Sequence, residues 1–511
     1  MMKLRIAACM ILLAAAMPAC KKSNTEPTPD PPPASGNRLQ LSLDSLFLYA
    51  KETYLWYDAL PDYETFNPRS FEGSDELTSL EAELLKITQY KINPLTGKAY
   101  EYTTSNRPKY SFIEKGNAAQ GIQGTVDLEG KGDDFGIGFT IVNNGITNSL
   151  YVRLVEKGGP AAQATITRGC QVTAMNGLPV VVSSSAVTAA LAGNTLQLTL
   201  KRPVTGETFS TTLTKGTYTN DPVYTWKTFT EGGKITGYIN LARFSRLSNA
   251  QPGLDNAFAE FASKNVNNLV VDLRYNSGGY VQTFEYLANL IGPSSLNGKV
   301  MYKELFNKLL REGNAPILKA IPYLDANNQQ VVQNGRKLTY ADVDYSEQGN
   351  TNYFSKKGSL GAISNVVFIV SGSTASASEL AINSLRPHMN VKLVGSDKTY
   401  GKPVGFFGIG IDKFTVYMSQ FSSVNSLGTG DYFAGFDVDI SSVDDVTRDF
   451  GDPLENGLSK ALAYINNEGM RTSDDRIMVN GRVTNNVDIT TQNVGAEGFN
   501  GMVEERRKLK Q

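Results

Sequence analysis

The spacing of hydrophobic positions follows three successive patterns along the chain. Between residues 39 and 110 apolar side chains recur at helical spacing, with Leu43 and Phe47 on one stripe of the first helix. Between residues 121 and 202 short apolar runs are broken by glycines, which is typical of strands joined by tight turns. From residue 208 to 468 apolar strands alternate with amphipathic helices. The pattern predicts a multidomain α/β protein with a helical N-terminal domain, a β-rich domain and an α/β domain.

The α/β block carries two glycine turns and one serine-rich turn. The run NNLVVDLRYNSGGY is a buried strand that ends in a glycine turn, and VQTFEYLANLI is the amphipathic helix after it. The run NVVFIVSGSTASASELAINSLRPHMNVKLVGSDKTYGKPVGF then gives a strand, a serine-rich turn, a helix, a strand and a second glycine turn. These turns are expected at the carboxyl ends of neighbouring strands, where open α/β sheets bind ligands.

The β-rich block contains a candidate peptide-binding edge. Gly136 and Gly138 allow consecutive backbone N–H groups to point at one spot, which forms a nest for a terminal carboxylate. The strand after them, from Phe139 to Val142, is expected to expose an edge to which an extended peptide can add. The order of a GPA helix start, an Arg-Gly turn and an Asn-Gly hairpin resembles a PDZ domain of the bacterial protease type, although Cys170 replaces the usual Asp. The alternative is a β-rich spacer with hairpins.

The N-terminus reads as an export signal. A positively charged start precedes an apolar run that is too short to span a bilayer, and small residues precede Cys20. The segment AMPAC resembles a bacterial lipobox, which implies that Cys20 is lipidated; the alternative is an ordinary signal peptide with an incidental cysteine. The run that follows is rich in proline and typical of an extended tether.

The expected boundaries follow from these changes of pattern. They are a lipoprotein-type signal peptide at 1–20, a Pro-rich linker at 21–38, the helical domain at 39–118, the PDZ-like domain at 119–205, the α/β domain at 206–467 with an insertion over the site at about 293–360, and a polar, solvated C-terminal tail at 468–511.

Composition removes several classes of function. Lys and Arg number 49 against 50 Asp and Glu, so no basic field is available to hold nucleic acid. One histidine and three cysteines exclude zinc sites built from His and Cys and a disulfide framework. The run GSDKTYGKP does not fit a phosphate-binding loop, because Gly395 and Gly401 are one residue too far apart and Pro403 replaces the Ser or Thr. We expect no metal and no cofactor.

The single histidine is a poor candidate for a catalytic base. His388 lies near the far end of the helix after the serine-rich turn, roughly 16 Å from the serines at 1.5 Å per residue. A lysine is therefore the remaining base for a serine nucleophile, a combination that enzymes are known to use.

STASASE, VGSDKTYGKPVG and the upstream VVDLRYNSGGY together resemble the tail-specific, C-terminal processing serine peptidases. The resemblance covers residues 120 to 465 and implies a catalytic α/β domain of the ClpP/crotonase-like type, preceded by a PDZ domain. It implies that Ser376 is the nucleophile and Lys402 the base. The implied oxyanion donors are the N–H groups of Ala377 and of Gly279 or Gly278.

The chain departs from the family pattern at two places near the base. The spacing from serine to lysine is one residue longer than usual, and Phe406 stands where some members have a Gln that orients the lysine. The alternative of an inactive descendant stays open. Glu379 is interpreted as a first-turn carboxylate favoured by the helix dipole rather than as a catalytic acid.

The sequence predicts an exported serine endopeptidase, anchored by lipid in a bacterial membrane and facing the periplasm or the cell surface. Its expected partners are proteins or peptides with free C-termini, held by residues Gly136 to Phe139. Desolvation is expected to lower the pKa of Lys402 so that the neutral amine can act. Two alternatives are a catalytically inactive PDZ scaffold that binds peptides, and a glycan-binding lipoprotein that uses Trp56. Core packing is the preferred interpretation of Trp56 and its aromatic neighbours Tyr54 and Tyr57.

Overall fold

A computed structural model describes residues 35–116, 129–325, 329–466, 476–479, 482–485, 490–494, 501–503 and 507–510. The predictions for the signal peptide, for Cys20 and for most of the linker lie outside the described residues. Within the described ranges, no helix has both the length and the apolar character needed to cross a membrane.

The N-terminal region is helical, as its period indicates. It contains α1 (Arg38–Thr53), α2 (Tyr63–Phe66), α3 (Glu76–Thr88) and the strand β1 (Phe112–Lys115). Asn37 caps α1, because its side chain accepts a hydrogen bond from the Gln40 N–H. Trp56 is buried and stacks on Tyr100 with ring centroids 4.6 Å apart, so it forms core and offers no surface platform for a glycan.

The β-rich domain is built around one twisted sheet. Its elements are β2 (Lys131–Asp134), β3 (Ile137–Asn143), β4 (Asn148–Val155), α4 (Pro160–Gln163), β5 (Gln171–Met175), β6 (Leu178–Pro179), α5 (Ser184–Ala192), β7 (Thr195–Lys201), β8 (Thr208–Thr214) and β9 (Gly216–Thr219). Strands β3, β4, β5, β7 and β8 are neighbours in that order. Because β8 pairs with β7 along its whole length, the boundary expected at residue 205 falls inside a hairpin of this sheet.

The α/β domain has a central sheet ordered β10-β11-β12-β18-β19-β24, parallel except for the β10–β11 pair. Its first part contains β10 (Val223–Glu231), β11 (Lys234–Leu241), α6 (Leu247–Ser263), β12 (Asn268–Asp272), β13 (Gly278–Tyr280), α7 (Val281–Ile291), β14 (Val300–Phe306), α8 (Lys308–Glu312), β15 (Val332–Gln333), β16 (Arg336–Lys337) and β17 (Thr351–Tyr353). Its second part contains β18 (Asn365–Val370), α9 (Ala377–Leu385), β19 (Asn390–Gly395), β20 (Val404–Gly405), β21 (Gly408–Ile411), β22 (Phe414–Tyr417), β23 (Phe421–Asn425), β24 (Ile440–Ser441) and α10 (Asn456–Ile465). The predicted α/β alternation is confirmed.

Two smaller sheets join the domains around the ends of the central strands. Strand β1 of the N-terminal region pairs with β22, which pairs with β21. The expected insertion contributes β14 and β17 to a second sheet, ordered β17-β14-β23-β20. The N-terminal region and the insertion therefore both reach the chain segment that follows Lys402.

The segment expected to be a solvated tail contributes strands to the fold. These are β25 (Arg476–Val479), β26 (Arg482–Asn485), β27 (Thr490–Val494) and β28 (Gly501–Val503). Strand β27 extends the sheet of the β-rich domain beside β3, and β28 pairs with β13. A polar composition concealed this, because a strand that pairs along an edge needs backbone hydrogen bonds and few apolar side chains.

Candidate active site

The serine turn, residues 371–376, leaves the carboxyl end of β18 and enters α9 through a strained residue. Ser376 has φ 58° and ψ −112°, outside the regions that non-glycine residues ordinarily occupy. A sharp strand-to-helix turn of this kind presents a side chain at the edge of a sheet. The Ser376 hydroxyl is completely buried and has no hydrogen-bond partner among the described residues. A buried hydroxyl without a partner is costly and is characteristic of a functional position.

The lysine turn, residues 396–402, follows the neighbouring strand β19. Lys402 is 1% exposed, and its ammonium lies 4.6 Å from the centroid of the Phe406 ring. Burial lowers the pKa of Lys402 from 10.5 to about 7, although the negative charges of Glu101 and Glu379 oppose the shift. A lysine with this pKa is substantially neutral at physiological pH, as a general base must be.

Glu379 connects the serine turn to the lysine turn. One carboxylate oxygen accepts from the N–H of Ser376 at 2.9 Å and from the N–H of Lys402 at 2.8 Å. The other accepts from the Gly401 N–H at 2.7 Å and from the Thr399 hydroxyl at 2.6 Å. Burial raises the pKa of Glu379, and these four hydrogen bonds oppose the rise. Ser376 and Lys402, 26 positions apart in the sequence, are thus held side by side by a shared acceptor.

Residues from the N-terminal region surround the lysine turn. Tyr110 donates its hydroxyl hydrogen to the Gly401 carbonyl at 2.6 Å, and Lys109 Nζ donates to the same carbonyl at 3.2 Å. Glu101 is fully buried and accepts from Tyr54, from Ser419 and from Ser111. No local motif marks Glu101, Lys109 and Tyr110 in the sequence, so their place in this site was not predicted.

The glycine turn after β12 faces the serine turn from the next strand. The Gly278 N–H donates to the Asn276 side chain at 3.0 Å, so it is already engaged, and Gly279 is the better candidate for an oxyanion donor. Gly279 has φ 130°, and a Cβ atom there would lie 2.1 Å from the Phe244 carbonyl oxygen. Only glycine fits this position. The N–H of Ala377 is the first of α9, immediately after Ser376.

His388 lies away from the serine turn, on the far side of α9. Its Nε2 is 3.3 Å from the Val300 carbonyl oxygen and 3.1 Å from the Ser426 hydroxyl oxygen. Its ring also meets Phe354 edge-on. These contacts agree with the interpretation of His388 as a histidine near a helix end.

The predicted carboxylate nest needs one correction. Gly136 has a positive φ of 65°, and its N–H donates to the Asp134 carboxylate at 2.7 Å. The Gly136 N–H, which was expected to bind the terminal carboxylate of a peptide, therefore binds a carboxylate of the chain itself. Any N–H groups that remain for a peptide carboxylate belong to Ile137, Gly138 and Phe139. The edge of β3 that was expected to be open is paired with β27.

Comparison with known proteins identifies the domain that holds both turns. The model of peptidase family S41 matches residues 235–409. The chain contains a peptidase family S41 domain. Ser376, Lys402 and both glycines of the glycine turn lie inside this S41 domain. Within the described ranges, no cluster of three or more His, Cys, Asp or Glu side chains could hold a metal ion.

Two relatives are named carboxyl-terminal-processing protease. The one from Picosynechococcus is 26% identical over 275 residues, which cover 53% of this chain and 55% of the relative. The one from Synechocystis is 25% identical over 283 residues, which cover 55% of each chain. The chain thus spans about half the length of the curated relatives it matches. The S41 match and these relatives are similarities of this part of the chain.

A solved structure agrees at the level of the fold. It is a Bacteroides fragilis protein assigned by name to the S41 proteases, with a TM-score of 0.53 and 20% identity. The match covers 83% of this chain and 97% of that one. At this identity the likeness shows a shared fold alone.

Proposed function

We propose that the chain is a serine endopeptidase of the C-terminal processing type, with Ser376 as nucleophile and Lys402 as general base. The observation that carries the proposal is the shared Glu379 oxygen, which accepts from the backbone N–H groups of Ser376 and of Lys402, two residues whose side chains are both buried. Neither side chain has another evident role in stability, since burying either of them is unfavourable. The S41 domain that contains both residues supports the same reaction class.

The reaction follows from the charges in the site. Neutral Lys402 accepts the proton of the Ser376 hydroxyl while the oxygen attacks the peptide carbonyl. The N–H groups of Ala377 and Gly279 stabilise the oxyanion, and each donor is worth about 3 to 4 kcal/mol in the transition state. The lysine then protonates the leaving amine, and a water molecule hydrolyses the acyl-enzyme with Lys402 again as base.

Phe406 provides a surface for the lysine in place of the orienting Gln. Its ring packs edge-on against Phe112 and against Tyr417, with centroids 5.4 and 5.3 Å away. A ring fixed in this way limits the positions that the Lys402 side chain can adopt. The missing Gln therefore does not require an inactive protein.

The β-rich domain is proposed to be the PDZ-like domain that selects substrates. Strand β27 pairs with β3 and contacts α5, so this edge of β3 is one to which an extended chain segment can add by edge pairing. The proposed substrates are exported or unfolded proteins with free C-termini. The proposed location is a bacterial membrane surface, where the chain is anchored through Cys20 and faces the periplasm or the outside.

Incubation with an unfolded protein tests the proposed function. The full chain is expected to produce fragments, and Ser376→Ala is expected to produce none. The matched control is Ser373→Ala, which removes a hydroxyl from the same turn and is expected to cleave normally. Fragments that persist in Ser376→Ala, or that disappear equally in Ser373→Ala, would contradict the assignment of the nucleophile.

A further inference from the structure

The cleft of the PDZ-like domain is filled by the chain's own C-terminal region. Strand β27 pairs antiparallel with β3 over its whole length, from Thr490 opposite Asn143 to Val494 opposite Phe139. The hydroxyl of Thr140 adds a side-chain hydrogen bond to the Gln492 carbonyl at 3.2 Å. The described segment therefore occupies the edge that an extended substrate would use.

Only one side chain of β27 is buried in the β-rich domain. Residues 490 to 493 are exposed, whereas Val494 is 3% exposed and belongs to the apolar core of the domain together with Phe139 and Val187 of α5. Val494 is also the residue of β27 closest in register to the Gly136–Gly138 loop. The strand thus presents one aliphatic side chain to the cleft, next to the loop where a tail is expected to end.

A second strand from the same region lies beside the catalytic turns. Strand β28 pairs in parallel with Gly278–Tyr280, the glycine turn that carries the proposed oxyanion donor. It also lies against β20, which begins two residues after Lys402. In this arrangement Ser376 is completely buried and Lys402 is 1% exposed.

The end of the chain is fixed to the insertion. Arg507 forms a buried ion pair with Glu304 of β14, with 2.6 Å between Nη1 and Oε2. The Lys510 N–H donates to the Asp342 carbonyl at 2.9 Å, and Lys508 accepts from the Asp344 N–H at 2.8 Å. A segment whose end is fixed to the insertion thus occupies the edge of β3 and lies against the glycine turn and the strand after Lys402.

We propose that the segment formed by β27, β28 and residues 507–510 is a tethered inhibitor that substrates must displace. The proposal rests on the proposed peptidase function. A tethered segment competes at an effective concentration in the millimolar range, so free peptides bind only when they are abundant or tight. A substrate tail has one advantage over β27, because the chain continues past Val494 and offers no terminal carboxylate to the amides near Gly138. Charge-assisted hydrogen bonds to that carboxylate favour displacement by a true C-terminus.

The test uses the full chain with Val494→Asp, which places a charge in the buried end of the cleft. Val204→Asp is the matched control, since it makes the same substitution at an 88% exposed position of the same domain. Hydrogen exchange of the β3 amides is expected to become at least tenfold faster in Val494→Asp and to stay unchanged in Val204→Asp. In a Ser376→Ala background, the labelled peptide DITTQNV, which has the sequence of residues 488–494, is expected to bind the Val494→Asp chain at least tenfold more tightly.

The cleavage rate separates the two proposals. With Ser376 intact, Val494→Asp is expected to raise kcat/KM for an unfolded protein at least severalfold. If neither the hydrogen exchange of the β3 amides nor the binding of the peptide changes, the proposal of a tethered segment is wrong, whatever the cleavage rate. If both change but cleavage does not accelerate, the inhibitory role is wrong. If both change and no Ser376-dependent cleavage exists, the peptidase function fails while the docking of β27 stands. Val494→Ser, which removes apolar volume without adding charge, replaces Val494→Asp if that chain does not fold.

Discussion

The serine turn and the lysine turn sit on neighbouring strands but are held by different parts of the molecule. The serine turn is fixed from within the sheet, where the Thr374 hydroxyl donates to the Leu273 carbonyl at 2.8 Å and the Ala375 N–H to the Asn276 carbonyl at 3.2 Å. The lysine turn is fixed from outside the sheet by Tyr110 and Lys109 of the N-terminal region. The turn of the proposed nucleophile is therefore held by nearby strands, whereas the turn of the proposed base is held by residues almost 300 positions away.

This difference explains why the base can be neutral. Burial of Lys402 requires a cover, and the N-terminal region supplies that cover together with the carboxylate of Glu101. Two charged groups of that cover act in opposite directions, because the Glu101 carboxylate raises the pKa of Lys402 and the Lys109 ammonium lowers it. The opposing charges of Glu101 and Glu379 keep it near the pH at which a base is most useful.

The largest expected effect comes from removing the base. Lys402→Arg is expected to reduce kcat/KM by on the order of 10³-fold or more, because a guanidinium stays protonated at any usable pH. Lys398→Arg, a half-exposed lysine in the same turn, is the control and is expected to cleave like the unsubstituted chain. Steady-state cleavage of an unfolded protein measures both. Activity retained in Lys402→Arg would remove the lysine from the mechanism.

Glu379→Gln tests the connection between the two turns. The amide keeps the shape but loses the charge and replaces one acceptor by a donor, so we expect a loss in kcat/KM of about 10- to 100-fold and a stability loss of about 1 to 3 kcal/mol. A positioning residue with a charge should also move the titration of the base. The pH profile is expected to shift to lower pH, because Glu379 raises the pKa of Lys402. A loss of stability with an unshifted profile would reduce Glu379 to a structural role.

Tyr110→Phe and Thr374→Val compare the two turns directly. Each removes one hydrogen bond, from the lysine turn and from the serine turn respectively, and each is expected to cost about 1 kcal/mol in unfolding free energy. Tyr110→Phe is expected to change the apparent pKa of the cleavage reaction. Thr374→Val is expected to lower the cleavage rate severalfold and to leave that apparent pKa unchanged. The same pKa in both variants would mean that the N-terminal region does not set the environment of the base.

Phe406→Leu has the smallest expected effect. It removes the ring face beneath the Lys402 ammonium while keeping an apolar side chain of similar size. A buried cation–π contact is worth up to about 2 kcal/mol, so we expect the pKa of Lys402 to fall by up to about 1.5 units. The pH dependence of kcat/KM measures this shift. An upward shift would show that the ring does not stabilise the charged lysine.

The sequence was sufficient to predict those parts of the fold and of the candidate site that depend on a local motif. Periodicity indicated the α/β alternation, and the serine-rich and glycine runs located Ser376, Lys402 and Gly279 at neighbouring turns. The contribution of Glu101 could not be predicted, because a buried glutamate within a helical domain has no local signal that it will face a lysine in another domain. The placement of β27 was also hidden, since its five residues are polar except for Val494, and pairing along an edge leaves no period in the sequence.

The nest at Gly136 shows that a glycine in the sequence does not by itself predict a backbone N–H that is free to bind a ligand. A carboxylate nest was expected at Gly136, whose φ is positive, yet its N–H donates to the carboxylate of Asp134, two residues earlier. An Asp two residues before a turn amide is a common local acceptor, so the sequence did contain the competing signal.

The pH profile of kcat/KM, measured from about pH 5 to about pH 9 with and without Glu101→Gln, tests the central claim most directly. The central claim is that a neutral Lys402, covered by the N-terminal region, is the base. The rate should rise with pH through about 7, because Lys402 must lose its proton to act. Removing the negative charge of Glu101 should move that rise to lower pH. A profile that ignores Glu101→Gln but changes in His388→Ala would contradict the account.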